Sequence, residues 1–419
     1  MANKVSIGFT GDFSFSGYFS GLYNKEDLID NKILDFLENN DANILNFESP
    51  ITSCRVTKKK RLAHRSDPEA LSFVKKYIKN PVLSLANNHM MDYSFIGMTD
   101  TLENVKNEGI AFIGAGKDVD EAAKYLVFGN EELKIGVFAI QYKNFKVATE
   151  KRGGPLHDRQ KEVIKKRIAE MKGKVDYVVL VYHGGDEFLH APMPYFRKHL
   201  RNYLDMGCDV VVAHHPHVVQ GYESFGNKKI FYSLGNFMFD TAYQRMQEDS
   251  DRGILLKLIF SKDKVDFEHM PIRIDREGVR VVSEESDEYF KDIKNNYSRL
   301  WAVEAARKKE IDEKAKILRK KETKDNLIEK SKLKKDVLDL RKKYEILDDQ
   351  IDEEEEELLE DMSEERIEEL VEEMLEENKK DISISQKIKS LIKKVLKKDS
   401  YNRLIVKYGS FKAKYIYRQ

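Results

Sequence analysis

The stretch VVVAHHPHVVQ, residues 210–220, holds three of the ten histidines of this 419-residue chain. His214, His215 and His217 follow an apolar run of strand length, so they are predicted to lie at the end of a strand. His215 and His217 would leave the strand on the same side if its geometry persists through Pro216. Because neutral imidazole is a common metal ligand, this stretch indicates a cation site.

Five other apolar runs also lead into polar residues that could bind a cation. They are Asp12 in SIGFTGD, Asn46 and Glu48 in ILNFES, Asn87, Asn88 and His89 in LSLANNH, His183 and Glu187 in VVLVYHGGDE, and Asn236 in FYSLGN. In an open α/β sheet, ligands bind in the crevice beyond the carboxyl ends of the strands. Six such strand ends therefore predict one shared site.

The residue types indicate which cation that site would hold. Imidazole combined with carboxylate and amide oxygen suits Zn, Mn or Fe better than Ca. Two ions about 3.5–4 Å apart would need a bridging carboxylate, for which Glu48 and Asp12 are the candidates. Such a pair of ions activates a water molecule and binds a phosphoryl oxygen. The predicted cofactor is therefore one or two divalent metal ions.

Each of these residues also has a structural interpretation. A histidine at a strand end usually forms ordinary hydrogen bonds, and the NNH triplet can form a turn because asparagine tolerates left-handed backbone. An aspartate after glycine can cap a helix. Their joint occurrence at six strand ends favours the metal site.

A layered arrangement of strands and helices is needed to bring these residues to one edge. Short apolar runs recur throughout residues 1–285, with further strands at 252–285. Helical patterns lie between several of the runs, at residues 27–38, 68–79, 94–108, 158–172 and 194–206. Strands separated by helices predict an α/β domain over residues 1–285.

A charged, mostly helical extension is predicted for residues 290–419, where glycine and proline nearly vanish. It contains heptads at 333–351, an acidic block at 352–377 with a net charge of −15, and a basic tail at 379–419 with a net charge of +11. The heptads indicate self-association, and the acidic block could pair with the basic tail. We expect the extension to have little contact with the α/β core.

The composition is that of a folded protein in a reducing compartment. Hydrophobic residues make up 41% of the chain, and Cys54 and Cys208 form no disulfide or metal motif. No run reaches the ~18 apolar residues of a membrane span, and the N-terminus lacks the apolar region of a signal peptide. The expected location is the cytoplasm, with peripheral membrane contact as a further option.

The motifs GFTGD, NFESPIT, SLANNHMMDY, YHGGDEF, AHHPHVVQ and YSLGNF, in this order, resemble those of the CapA family of capsule and poly-γ-glutamate synthesis proteins. That family is related to calcineurin-like metallophosphoesterases, and the resemblance covers about residues 4–245. It implies a four-layer α/β/β/α sandwich with metal at the strand ends. It also implies a role in surface-polymer synthesis, exerted through metal-dependent phosphoester hydrolysis.

The resemblance further implies roles for individual residues. The implied metal ligands are Asp12 and His217 for a first ion, Asn88, His183 and His215 for a second, and Glu48 in the position of the bridging carboxylate. His89 would be the catalytic acid that protonates the leaving-group oxygen. The side chains expected to support these ligands are Asn46, Asn87, Asp92, Glu187, His214 and Asn236.

The chain departs from the phosphoesterase pattern at three positions. Ser14 stands where the first motif often has a histidine, so one ligand of the first metal is missing. Glu48 replaces the usual aspartate, and Ala213 stands where glycine is common. These departures weaken the case for two ions. Many proteins of this family also carry an N-terminal membrane anchor, and we expect none in this protein.

Three functions therefore remain open. The first is hydrolysis of a phosphoester in a surface polymer or its precursor, which the intact Asn88–His89 pair favours. The second is a non-hydrolytic accessory role, in which the site binds an anionic polymer such as polyglutamate for a membrane machine; Ser14 favours it. The third is an assembly subunit that self-associates through residues 333–351.

Residues 384–398 suggest a further partner, because six apolar residues there share a helical face surrounded by lysines. A basic amphipathic helix can lie on an anionic bilayer. Alternatively, its apolar face docks on a neighbouring helix and its lysines pair with the acidic block at 352–377. Nucleic acid is the weakest alternative, because the tail carries tyrosines but no nucleic-acid-binding motif.

Overall fold

The structure is a computed structural model that describes residues 4–55, 57, 63–143, 146–286, 288–305, 307, 308 and 311. The chain forms two compact units: Met1–Ser53 with His64–Met91 and Met98–Asp312, and Cys54–Ala63 with Asp92–Gly97 and Glu313–Gln419. The predictions for 333–351, 352–377, 379–419 and 384–398 lie outside the described residues. Among the described residues, none of the helices has the length and apolarity needed to cross a membrane.

The strands of the described chain are numbered in sequence order. They are β1 (Val5–Gly17), β2 (Ala42–Phe47), β3 (Pro81–Ser84), β4 (Ala111–Ile113), β5 (Ala115–Gly116), β6 (Leu126–Gly129), β7 (Lys134–Gln141), β8 (Gly154–Pro155), β9 (Tyr177–His183), β10 (Val210–His214), β11 (Tyr222–Phe225), β12 (Lys228–Phe231), β13 (Asn236–Asp240), β14 (Arg252–Phe260), β15 (Val265–Asp275) and β16 (Arg280–Ser283). The helices are α1 (Asn31–Glu38), α2 (Ala70–Tyr77), α3 (Ser94–Asn107), α4 (Val119–Ala122), α5 (Lys161–Lys172) and α6 (Pro194–Asp205).

Two mixed sheets form the centre of the first unit. The first sheet has the order β16-β15-β14-β1-β2-β3-β4, with β13 also paired to β1. Its strands β1 to β4 are parallel to one another, and β13 is parallel to β1. The second sheet has the order β11-β12-β10-β9-β7-β6, with β7, β9, β10 and β12 parallel. Parallel strands end at a common edge, as the predicted site requires.

Three hydrophobic clusters separate four layers. The middle cluster joins the inner faces of the two sheets, for example Ile7 and Ile44 with Val179. A second cluster packs α1, α2 and α3 on the outer face of the first sheet, and a third packs α5 and α6 on the outer face of the second. This is the predicted four-layer α/β/β/α sandwich, which is confirmed.

The main helices form where the sequence pattern places them, within three or four residues at their ends. In α5, Ile164, Ile168 and Met171 recur at helical spacing and are buried against the second sheet. In α1, the Asp30 carboxylate caps the first turn by accepting a hydrogen bond from the main-chain nitrogen of Lys32 at 3.0 Å.

The strand ends differ from the prediction at three points. Strand β1 does not end at Asp12 but continues to Gly17, because its second half pairs with β13. Asn236 begins β13 rather than ending a strand. Strand geometry does not persist through Pro216: β10 ends at His214, and His215 and His217 have φ angles of 98° and 57°. Positive φ in non-glycine residues is costly and often marks a functional site.

The expectation of little contact between the extension and the core is wrong for the first residues of the extension. Phe290 and Ile293 are buried in the hydrophobic clusters of the domain. The Tyr297 hydroxyl donates to the Pro192 main-chain oxygen at 2.6 Å, and residues 297–305 are helical. The reason is that the charged segment begins with a few apolar side chains. The average composition of the segment does not reveal them. Packing of the domain thus continues past residue 285.

Candidate metal centre

Both sheets place polar side chains beside the ends of the parallel strands β2, β9 and β10. In the first sheet, Asp12 is in register with Asn46 of β2 and with Asn236 of β13. In the second, His214 of β10 is in register with His183 of β9. The residues that follow these strands extend the cluster, and all its candidate ligands from Asp12 to His217 belong to the first unit.

Asp12, Glu48 and His217 form one group of candidate ligands. One donor atom from each lies within 4.8 Å of the other two. His217 Nδ1 is 3.2 Å from Asp12 Oδ2, and His217 Nε2 is 3.8 Å from Glu48 Oε1. These are the residues that the resemblance implies for the first ion.

Glu48, His183 and His215 form a second group by the same criterion. His183 Nε2 is 3.3 Å from Glu48 Oε1 and 2.5 Å from Asn88 Oδ1. Asn88 therefore adds an amide oxygen beside this group. Glu48 belongs to both groups, which is the placement that a bridging carboxylate would need.

The Glu48 side chain shows that these groups fit a cation. It is fully buried, and neither carboxylate oxygen accepts a hydrogen bond from the residues that the structure describes. The contact with His183 at 3.3 Å falls outside hydrogen-bonding geometry. Because a buried carboxylate that accepts no hydrogen bond is unfavourable, a positive ion bound beside it is the natural complement. Carboxylate, imidazole and amide donors suit a divalent transition metal.

The sequence profile described as "Bacterial capsule synthesis protein PGA_cap" matches residues 6–241, more than half of the chain. The chain belongs to this family. PGA_cap membership accounts for the order of the strand-end motifs, all of which fall within the matched residues.

Two curated relatives are similar to this PGA_cap chain. The capsule biosynthesis protein CapA of Bacillus anthracis is 30% identical over 259 residues, covering 59% of this chain and 62% of the relative. The PGA biosynthesis protein CapA of Bacillus subtilis (strain 168) is 30% identical over 254 residues, covering 59% and 66%. The chain thus spans less than two thirds of the length of these relatives. Among solved structures, a 5'-nucleotidase precursor from Thermus thermophilus aligns with a TM-score of 0.37 and 12% identity, over 66% of this chain and 56% of that one.

Two asparagines contact candidate ligands of the PGA_cap site, and a third contacts the neighbouring His89. The Asn46 amide donates to Asp12 Oδ1 at 2.7 Å and lies 3.1 Å from His183 Nδ1. Asn236 Oδ1 lies 3.0 Å from His217 Nδ1, and its amide donates to the His217 main-chain oxygen at 3.2 Å. Asn87 accepts from the main-chain nitrogen of His89 at 3.1 Å. Such supporting contacts orient metal ligands.

Burial and neighbouring charges separate the pKa values of the histidines. Burial, with the positive charge of Lys143, lowers the pKa of His215 well below its ordinary value. Burial also lowers the pKa of His214 to about 4. Burial opposes the charged form of His217 too, but Glu48 and Asp12 outweigh it and raise its pKa to about 10. His215 is therefore ready to bind metal at neutral pH, whereas His217 must first release a proton.

His89 lies beside the two ligand groups. Its Nε2 is 3.7 Å from Glu48 Oε1, and its ring is 4.2 Å from the ring of His64, centroid to centroid. His64 is a buried neighbour that the sequence did not predict, because it follows the basic stretch KKKRLA rather than an apolar run. The position of His89 is compatible with its predicted role as an acid.

The other supporting residues lie in different settings. His214 Nδ1 is 3.7 Å from Asp12 Oδ1. Glu187 Oε1 is 3.6 Å from His215 Nε2, closer than a purely supporting role requires. Asp92 is buried, and its main-chain oxygen accepts a hydrogen bond from the Thr57 hydroxyl within the second unit. Its expected role beside the metal stays a prediction.

Proposed function

We propose that this PGA_cap chain is a metal-dependent phosphoester hydrolase that acts in the synthesis of an anionic surface polymer of the capsule or poly-γ-glutamate type. The proposed substrate is a phosphoester in the polymer or its precursor. The family and the names of the two CapA relatives support a role in the synthesis of such a polymer. The arrangement of the strand-end residues supports the reaction.

The observation that carries the proposal is the environment of Glu48. Its buried, unbonded carboxylate is shared by two donor groups and has nitrogen atoms of three histidines within 3.8 Å. A purely structural glutamate would be expected to find hydrogen-bond donors in the fold. Divalent ions bound there would lower the pKa of water and offset the negative charge of a phosphoryl oxygen.

The side chains of this site would have two roles, metal binding and proton donation. Asp12, Glu48, Asn88, His183, His215 and His217 would hold the ions. His89 would donate a proton to the departing oxygen, since its ring borders the site without belonging to either ligand group. A positioned acid of this kind typically contributes about 10²–10⁴-fold to the rate.

The test is a screen of phosphoesters with the chain stripped of metal and then supplied with Mn²⁺, Zn²⁺ or Fe²⁺. We expect hydrolysis only after metal is restored, and none in the Glu48→Gln variant. Glu38→Gln removes an exposed carboxylate paired with Lys79 at 2.9 Å and serves as the matched control, with full activity. Hydrolysis that survives both chelation and Glu48→Gln would exclude the proposal.

A second candidate function is non-hydrolytic binding of an anionic polymer for an assembly machine. The observation that favours it is Ser14, whose hydroxyl donates to Ser16 Oγ at 2.9 Å and supplies no nitrogen ligand to the site. Metal-dependent binding of polyglutamate, with every phosphoester left intact, would support this function over hydrolysis.

A further inference from the structure

Glu187 takes part in a third group of candidate ligands, together with His215 and His217. One donor atom from each of the three lies within 4.8 Å of the others. Both histidine side chains are 3% exposed, whereas the Glu187 side chain is 37% exposed. Glu187 thus brings a carboxylate to the solvent side of two histidines that already belong to the site.

Ser14 lies on strand β1, two residues after Asp12. The Ser14 hydroxyl donates to Ser16 Oγ at 2.9 Å and accepts from the Ser16 main-chain nitrogen at 3.2 Å. Both contacts keep it on its own strand. Strand β1 therefore supplies only the Asp12 carboxylate to the ligand groups.

The loop that carries Glu187 is fixed on both sides of it. On one side, Asp186 accepts a hydrogen bond from the Tyr195 hydroxyl at 2.5 Å and forms an ion pair with Lys308. On the other, the Phe188 main-chain nitrogen donates to the Pro216 oxygen at 2.7 Å. The Phe188 ring also stacks on His217, with centroids 5.9 Å apart and planes 28° apart.

These contacts fix the chain on both sides of Glu187, whose carboxylate lies 3.6 Å from His215 Nε2 although it is partly exposed. Phe188 has a φ of 61°, so the loop keeps an unfavourable backbone conformation in order to maintain this arrangement. Residues held in this way lose little freedom when they bind a metal. If the Glu187 side chain only faced solvent, the fold would not need to hold its loop in this unfavourable conformation.

We propose that Glu187 is a direct metal ligand, which acts with His215 and His217 and supplies the donor that Ser14 does not provide. This inference rests on the metal site of the proposed function but not on hydrolysis. The cation is of the Mn, Zn or Fe class, since the group combines one carboxylate with two imidazoles.

The first test is a calorimetric titration of the full chain, stripped of metal, with Mn²⁺. Glu187→Gln should weaken the affinity by about 100-fold, the upper end of the range for groups that act only through another ligand. Asp186→Asn removes the same charge one residue away and keeps an acceptor for Tyr195, so it should change the affinity far less. Equal losses in the two variants would overturn the proposal, as would unchanged affinity in Glu187→Gln.

The second test replaces the donor atom and reads the metal itself. In the Co²⁺-loaded chain, Glu187→His should shift the visible absorption bands, because nitrogen replaces oxygen next to the ion. Asp186→His should leave the bands unchanged. Bands that stay unchanged in Glu187→His would overturn the proposal.

The two proposals can fail separately. If the wild-type chain binds Mn²⁺ through Glu187 yet cleaves no phosphoester, hydrolysis is excluded and the assignment of Glu187 stands. If the wild-type chain hydrolyses phosphoesters and Glu187→Gln binds Mn²⁺ normally, the assignment fails and hydrolysis stands. A wild-type chain that binds none of these ions would overturn both.

Discussion

Glu48 and Glu223 are both fully buried in the described part of the chain, but their surroundings differ. Glu223, on β11, accepts hydrogen bonds from Arg201 Nε and Nη2 at 2.9 Å each, from the Tyr232 hydroxyl at 3.0 Å and from Arg197. Neither oxygen of Glu48 accepts a hydrogen bond from the described residues. The fold thus supplies partners to one glutamate and leaves the other to a ligand.

The pKa values of the two glutamates move in opposite directions, because only Glu223 accepts hydrogen bonds from the described residues. Burial raises the pKa of Glu48, and the charges of His183 and His217 oppose it only in part. Burial acts on Glu223 as well, but the hydrogen bonds from Arg201 and Arg197 outweigh it and lower its pKa. A buried carboxylate is structural where the fold provides hydrogen-bond donors for its oxygens. It indicates a binding site where the fold leaves those oxygens without hydrogen bonds.

The largest expected effect is on turnover. It distinguishes the catalytic role of His89 from the metal-binding role of His215. His89→Ala should lower hydrolysis of a phosphoester with a poor leaving group by about 10²–10⁴-fold, because it removes the acid. Its metal content should stay at the wild-type level, since His89 belongs to none of the ligand groups found in the described residues. His215→Ala should lose metal instead. Equal metal loss in the two variants, by elemental analysis, would contradict this division of roles.

The next effect concerns stability and belongs to Glu223. Glu223→Gln should lower the free energy of unfolding by about 3 kcal/mol, the low end for a broken buried ion pair, because Arg201 is 40% exposed and water can solvate it. Urea denaturation measures the loss. Mn²⁺ affinity should be unchanged, and a variant as stable as the wild type would show that this network is not structural.

A smaller effect is the opposite pH dependence of the two glutamates in the metal-free chain. The folded pKa of Glu223 is lowered, so its contribution to stability is present above the ordinary value of about 4.3 and is lost as pH falls through the folded pKa. The folded pKa of Glu48 is raised, so its contribution is full below about 4.3 and is lost as pH rises through the folded pKa.

Urea denaturation across a pH series in the presence of a chelator measures these contributions. The unfolding free energy of the wild type minus that of Glu223→Gln should rise as pH rises. The unfolding free energy of the wild type minus that of Glu48→Gln should fall as pH rises. Parallel curves for the two variants would contradict the contrast between the two sites.

Much of the fold could be predicted because the pattern of apolar residues determines it locally. The helix predicted at 94–108 is observed at Ser94–Asn107, and the one at 194–206 at Pro194–Asp205. The apolar run before His183 is strand β9, buried along its whole length. Parallel strands share an edge, so the convergence of strand-end residues also followed from the sequence.

Other features depend on contacts between distant segments and could not be predicted. The extension of β1 past Asp12 arises from pairing with β13, which lies more than 200 residues away. His64 reaches the ring of His89 through tertiary packing alone. The left-handed backbone at His215 and His217 depends on the loop that packs against them, as does the closeness of Glu187 to His215.

The most direct test of the account is the effect of Mn²⁺ on the unfolding free energy of the wild type and of Glu48→Gln. At free Mn²⁺ about 100-fold above the dissociation constant, the wild type should gain about 2.7 kcal/mol. Glu48→Gln should gain nothing, and without metal it should be at least as stable as the wild type, because burial disfavours the Glu48 carboxylate more than the charges of His183 and His217 favour it. The same Mn²⁺ stabilisation in both proteins, or a metal-free loss in Glu48→Gln as large as that of Glu223→Gln, would contradict the claim that Glu48 is built to bind a cation.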